Sequence, residues 1–120
     1  MSAVDLDGYV PVCHLDAIAP ETGVAALVRG VAVAVFRTHD DEIHVVSNHD
    51  PLSDASVLSR GIVGSRGGVP VVSSPMYKHA FDLRTGQCLD DETARVEVYE
   101  TRLIAETVHV GPCRSAESTT

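Results

Sequence analysis

The sequence predicts an all-β domain whose antiparallel strands close into a sandwich or barrel. Apolar residues come in short, β-branched runs separated by turn residues about every 8–12 positions. The runs on either side of Arg29-Gly30 have the form of a tight hairpin. Late in the chain, apolar and polar residues alternate in part, as they do in half-buried strands.

The strands follow in order. Residues 9–13 make the first, and a loop carrying Asp16 and Pro20 follows. Residues 24–28 and 31–36 flank the Arg29-Gly30 turn, and a turn at 39–41 leads into a strand at 43–47. Residues 48–60 read as a long loop with a helical turn at 54–58, and residues 64–68 as a glycine-rich loop. Strands are expected at 69–73 and at 80–83, the latter pairing with 87–89 across Arg84-Thr85-Gly86. The last two are expected at 96–99 and 103–110. One domain spans residues 9–110, between an arm at 1–8 and a small, polar, frayed tail at 111–120.

With 120 residues there is room for one core. Hydrophobic residues at 44% and charged residues at 22% place the chain among globular rather than disordered sequences. A net charge of −8 argues against binding nucleic-acid backbones or anionic membranes, which call for Lys and Arg. No run approaches the roughly 18 apolar residues of a membrane span. Residues 1–7 are acidic and lack the basic and apolar regions of a signal peptide. Three cysteines, Cys13, Cys88 and Cys113, read as buried or idle thiols in a cytoplasmic chain.

Little in the residue pattern suggests catalysis. The six histidines are scattered, with no pair at a ligand-like spacing. Cys13 and His14 are neighbours on a strand, so they point to opposite faces. Ser74 has no obvious base and no nucleophile elbow. The glycine-rich segment matches no phosphate-binding spacing. Lys78 with His79, and the acidic groups Asp40–Glu42 and Asp90–Glu92, read as solvated surface.

Two motif groups carry a resemblance. Ser74-Pro75-Met76-Tyr77-Lys78-His79, followed by Phe81-Asp82-Leu83-Arg84-Thr85-Gly86, resembles the second cluster-binding loop of a Rieske domain. Asn48-His49-Asp50-Pro51 and Leu58-Ser59-Arg60-Gly61 resemble the first. Cys-x-His and Cys-Pro-x-His are the family's ligand motifs, two thiolates and two imidazoles in all. By the resemblance, Asp50 or Pro51 and Ser74 stand at the cysteine positions, and Leu52 or Ser53 and Tyr77 at the histidine positions. The loops are therefore ligand-less equivalents, and no cluster is expected here. Tyr77 has two readings: a ring filling the gap between the loops, or an exposed contact at the tip.

Together with Gly23-Val24-Ala25-Ala26-Leu27-Val28 and Val57 through Gly64, these motifs are similar to the small subunits of assimilatory NAD(P)H-dependent nitrite reductases. The resemblance implies a non-catalytic subunit, in the cytoplasm, of an enzyme of nitrate assimilation that reduces nitrite to ammonia. Its partner would be a large catalytic subunit carrying FAD, sirohaem and an iron–sulfur cluster. Contacts are expected at Asp50, Pro51, Leu52, Ser53, Met76, Tyr77, Lys78 and His79, with neither nucleic acid nor membrane as partner. The rival readings are a Rieske-type ferredoxin serving an oxygenase and a free-standing protein-binding module.

Overall fold

The computed structural model describes residues 8–76 and 78–114. In chain order the strands are β1 (Val10–His14), β2 (Thr22–Val28), β3 (Val31–Arg37), β4 (Ile43–Ser47), β5 (His49–Asp50), β6 (Ala55–Ser56), β7 (Ile62–Arg66), β8 (Val69–Ser73), β9 (Ala80–Asp82), β10 (Val98–Ile104) and β11 (Thr107–Cys113). Six of them form an antiparallel sheet in the order β1-β11-β10-β4-β3-β2. Its edge strands β1 and β2 approach each other, so the sheet curls into a nearly closed barrel. A second sheet, β7-β8-β9, and the small β5-β6 pair make a subdomain that packs on the outside of this barrel.

β3 and β4 are the shared wall, which explains their nearly unbroken apolar sequence. Side chains alternate across a strand, and on β3 both sets are buried. Val33 and Val35 face the barrel interior with Val45, Val108 and Val110. Ala34 and Phe36 face the other way, against Leu58, Val63, Val72, Phe81 and Leu83 of the subdomain. A strand covered on both faces has no polar side to show, so its apolar residues run together instead of alternating.

Three hairpins close on two-residue turns with both residues at positive φ, the geometry that matches strand twist. These are Arg29 and Gly30 (51° and 81°), Gly67 and Gly68 (60° and 84°), and Ala105 and Glu106 (50° and 67°). The first was expected. The other two correct the sequence reading. Residues 64–66 are strand, pairing with Val69–Val71, and only Gly67-Gly68 turn. The strand expected at 103–110 is broken by Ala105-Glu106, with Ile104 opposite Thr107. Neither Ala nor Glu favours positive φ, so cross-strand pairing forces that turn and local preference gives no sign of it.

The long loop also holds more structure than expected. It contains the β5-β6 pair and a single-turn 3-10 helix at Leu58–Arg60, in place of a helical turn at 54–58. β11 continues through Pro112 and Cys113, so the tail begins later than expected; residues 115–120 lie outside the described residues. The predicted pairing of 80–83 with 87–89 is present as Asp82 N–H to Gln87 O (2.9 Å) and Leu89 N–H to Ala80 O (2.8 Å). Cys88 is buried there, while Cys13 and Cys113 are half-buried on β1 and β11, and all three are free thiols. Among the described residues no helix is long and apolar enough to cross a membrane.

Gly86 closes the turn after β9 at φ +83°, and a Cβ there would lie 2.0 Å from the Val96 carbonyl oxygen. Gly30, at φ +81°, has nothing within 4 Å of that position. Gly30→Ala should therefore cost only the left-handed penalty of about 1–2 kcal/mol. Gly86→Ala adds a backbone clash and should cost about 3 kcal/mol or more. Urea unfolding midpoints of the two variants check this; equal losses would mean that the Gly86 turn relaxes freely.

Candidate functional site

The site is built from two loops at one end of the subdomain. Asn48 organises the first. It is 5% exposed, its N–H donates to the Ala32 carbonyl of the barrel wall (3.1 Å), and its own carbonyl accepts from Leu58 N–H (3.1 Å). Its side-chain oxygen accepts from Ser59 N–H (2.7 Å), and its side-chain amide donates to Ser56 O (3.4 Å). One buried amide thereby ties both ends of the loop to β3. The second loop folds on itself: Ser74 N–H donates to His79 O and Lys78 N–H to Ser74 O, each at 2.9 Å.

Asp50 joins the loops. Its side chain is wholly buried. Oδ2 accepts the Ser74 hydroxyl at 2.5 Å. Oδ1 accepts Leu52 N–H at 2.9 Å, the short-range bond that an aspartate makes at a turn. His79 Nε2 lies 3.3 Å from the same oxygen, its side chain 10% exposed. The Ser74 hydroxyl in turn accepts Met76 N–H at 3.2 Å. Burial alone would push the Asp50 carboxyl up. The hydrogen bonds from Ser74, Leu52 and His79, together with the nearby Ser53 hydroxyl, outweigh it and hold the carboxyl below its ordinary range. The Ser53 hydroxyl is buried without a hydrogen bond of normal geometry, so its contribution is that of a nearby dipole.

Chemically this is a latch and not a catalytic triad. A serine nucleophile needs a histidine between itself and the carboxylate; here Ser74 and His79 each bond Asp50 instead. Ser74 is 1% exposed, which leaves no room for a substrate.

Several expectations change. His79 is not solvated surface: its ring turns inward to Asp50 and meets the Phe81 ring edge-on, with centroids 5.4 Å apart. Asp50 faces inward rather than toward a partner, and Leu52 is half-buried against the subdomain core. Pro51, Met76 and Lys78 are exposed at the tip, Ser53 is half-buried, and Tyr77 lies outside the described residues. Asp90 is also more than solvated charge. It pairs with Arg66 through both oxygens (2.9 and 3.3 Å) and accepts Ala80 N–H (2.8 Å). The sequence signal for His79 was its position two residues before a buried aromatic on an extended chain, which puts both rings on one face.

The donor set does not fit a two-iron cluster of the Rieske kind. Ser74 and Asp50, two of the residues that the resemblance sets at or beside thiolate positions, bond each other directly, with no gap for a metal between them. Cys88 lies behind β9, bridged to Phe81, and Cys13 and Cys113 belong to the barrel. Elsewhere, His14, Asp16 and Glu106 form the one group of three described residues with metal-ligand atoms close together, all of them exposed. Distant chain positions assemble it, so spacing gave no hint of it. His14 Nδ1 already accepts Asp16 N–H at 3.0 Å, with Nε2 turned to Glu106 at 3.5 Å, so the ring is engaged at both nitrogens.

Comparison with known proteins agrees with these loops and this topology. The Rieske-like [2Fe-2S] domain family matches residues 8–111. The small subunit of NADH nitrite reductase from Escherichia coli K12 is 44% identical over 93 residues, covering 77% of this chain and 86% of that one. The chain belongs to the Rieske-like family of nitrite reductase small subunits. A crystal structure assigned as an NADH-dependent member from Mycobacterium tuberculosis superposes with a TM-score of 0.83 at 44% identity, covering 88% and 96% of the two chains. The ferredoxin of carbazole 1,9a-dioxygenase from Nocardioides aromaticivorans is more distant, with a TM-score of 0.76 at 25% identity, covering 88% and 98%. A nitrite reductase large subunit from Klebsiella oxytoca is 37% identical over 100 residues, 83% of this chain but 10% of that one. There, the segment similar to this family member is part of the large-subunit polypeptide itself.

Removing the Asp50 charge should open the latch. Asp50→Ala leaves the Ser74 hydroxyl and the His79 ring without their acceptor, at a cost of about 2–4 kcal/mol. A carboxyl whose folded pKa is lowered stabilises the fold above its unfolded value, near pH 4, and that stabilisation fades as pH falls through the folded value. The gap between wild type and Asp50→Asn should therefore be full at pH 7 and narrow below about pH 3–4. Unfolding curves at several pH values measure it; a gap independent of pH would mean that the buried carboxyl is neutral.

Proposed function

We propose that this chain is the clusterless small subunit of an NAD(P)H-dependent nitrite reductase, acting in the cytoplasm in nitrate assimilation. The observation that carries the reading is the Asp50–Ser74–His79 latch, which closes the two loops with a carboxylate and a hydroxyl at thiolate positions. With no redox donor set and no nucleophile–base pair among the described residues, the chain contributes by binding. Its partner is the large catalytic subunit, with FAD, sirohaem and an iron–sulfur cluster on that side of the complex. The Klebsiella relative supports this pairing, because there one polypeptide holds both.

In this reading the loop tip is the contact. Pro51, Met76 and Lys78 present it to solvent, Leu52 and Ser53 back it, and Asp50 and His79 hold it in shape from within. A rigid tip loses little freedom on docking, so its contacts convert efficiently into affinity.

Two measurements test the proposal. Anaerobically purified protein should be colourless, lack iron and acid-labile sulfide, and keep its melting temperature in chelator. Stoichiometric iron with a Rieske-type spectrum would turn the reading toward a ferredoxin. Nitrite-dependent NAD(P)H oxidation by the large subunit should rise on adding the chain and fall with Met76→Asp. A large subunit fully active alone, with no complex at micromolar concentration, would remove the subunit reading.

A further inference from the structure

We propose that the docking surface for the large subunit extends from the loop tip onto a neighbouring face, with Leu27, Ile62 and Met76 as apolar anchors and Arg29, Arg60 and Lys78 as a cationic rim. The inference rests on the subunit reading above and names the surface and the chemistry of what it meets.

The three most exposed large aliphatic side chains among the described residues are Ile62 (76%), Leu27 (72%) and Met76 (53%). Strand register ties each of them to one of the two loops. Leu27 is opposite Ala32, whose carbonyl holds Asn48 at the start of the first loop. Ile62 is opposite Ser73, the residue before the second loop, and Met76 lies within that loop. β2, which carries Leu27, packs beside the Leu58–Arg60 turn and β7.

Each anchor has a cation two residues away in the chain, and these cations differ from the rest. Arg29, Arg60 and Lys78 are exposed and form no ion pair among the described residues. The other six are engaged. Arg37, Arg66, Arg84 and Arg114 face Asp41, Asp90, Asp82 and Glu100. Arg95 donates to Thr85 O, and Arg102 lies over the Tyr9 ring.

Among the described residues, the acidic groups near these anchors are mostly engaged. Glu21, Asp40 and Glu42 border a cleft beyond the Thr22–Arg37 pair, whose other wall is formed by Val63, Gly64 and Ser65 of β7, and there Asp40 bonds Thr38 and Glu42 faces His44. Asp90 lies two strands from Ile62, in line through Ser73 and Ala80, and is engaged by Arg66 and the Ala80 N–H. Asp54 is near the first loop and is held by His49 at 3.0 Å. In a chain of net charge −8, the three cations without an ion pair among the described residues thus each sit beside a bare apolar side chain.

Exposed apolar groups ringed by uncompensated charge are the composition of an interface core and rim. The occupant is the large subunit. A second copy meeting this face with its own would set cation against cation, and the Klebsiella polypeptide keeps a domain of this kind permanently attached to the large subunit. The complementary patch there would be an apolar recess bordered by carboxylates, and the opposed charges would speed and orient encounter.

The test is binding of the full-length chain to the large-subunit holoenzyme, read by fluorescence anisotropy at low and high salt. Leu27→Asp and Ile62→Asp should each weaken the complex about tenfold or more. The double variant Arg29→Glu/Arg60→Glu should slow association and flatten its salt dependence. These two sites are exposed, so this arm stands even if an aspartate disturbs folding, which circular dichroism checks. Leu103→Asp, on the β10–β11 hairpin, should change affinity less than about twofold. Wild-type affinity in all three face variants would overturn this surface while leaving the subunit reading in place. No complex with the unaltered chain would overturn both. A self-associating chain that Leu27→Asp renders monomeric, with large-subunit binding intact, would assign the face to a second copy and overturn the proposal.

Discussion

A carboxylate buried without partners is so unfavourable that a fold containing one must supply them or protonate it. Asp50 is wholly buried, and what supplies its partners is the closure of one loop onto another 24 residues away. In a metal-bearing Rieske domain, iron–ligand bonds hold the equivalent loops. Here charge-assisted hydrogen bonds do so, each worth a few kcal/mol at most. They suffice because the same groups also complete local turns: Oδ1 caps Leu52, the Ser74 hydroxyl caps Met76, and the backbone links Ser74 to His79 and Lys78. Long-range closure and local order reinforce each other.

That latch depends on a stiff base. Asn48 is the coupling: its backbone joins β3, and its side chain spans the first loop from Ser56 to Ser59. β3 is itself fixed by burial on both faces, Val33 and Val35 in the barrel and Ala34 and Phe36 against the subdomain. The second loop hangs between β8 and β9, whose Val72 and Phe81 pack into the same outer cluster. The tip is therefore carried by the best-buried part of the molecule.

The charge distribution follows a parallel logic. A net charge of −8 makes the surface acidic on average. Much of that charge is neutralised locally or placed away from the loops. Asp90, for example, is held below the ordinary carboxylate range first by Arg66 and then by Ala80 N–H, and so ties β7 to the segment after β9. Cations left over beside bare aliphatics then stand out against an acidic background, and formal charge alone would conceal that side of the molecule.

The sequence by itself determined the β class, the strands at Ile43–Ser47 and Val69–Ser73, the Arg29-Gly30 turn and the family, because period-two burial, turn chemistry and ordered motifs are local signals. It did not reveal that Asp50 and Ser74 bond each other, that His79 turns inward, that Ala105-Glu106 make a turn, or that Leu27 and Ile62 are left bare. Those features join residues far apart in the chain or force conformations that their own side chains do not favour. Tertiary structure decided them, since only the closed fold brings the donors to the buried carboxylate and sets which apolar groups have no cover.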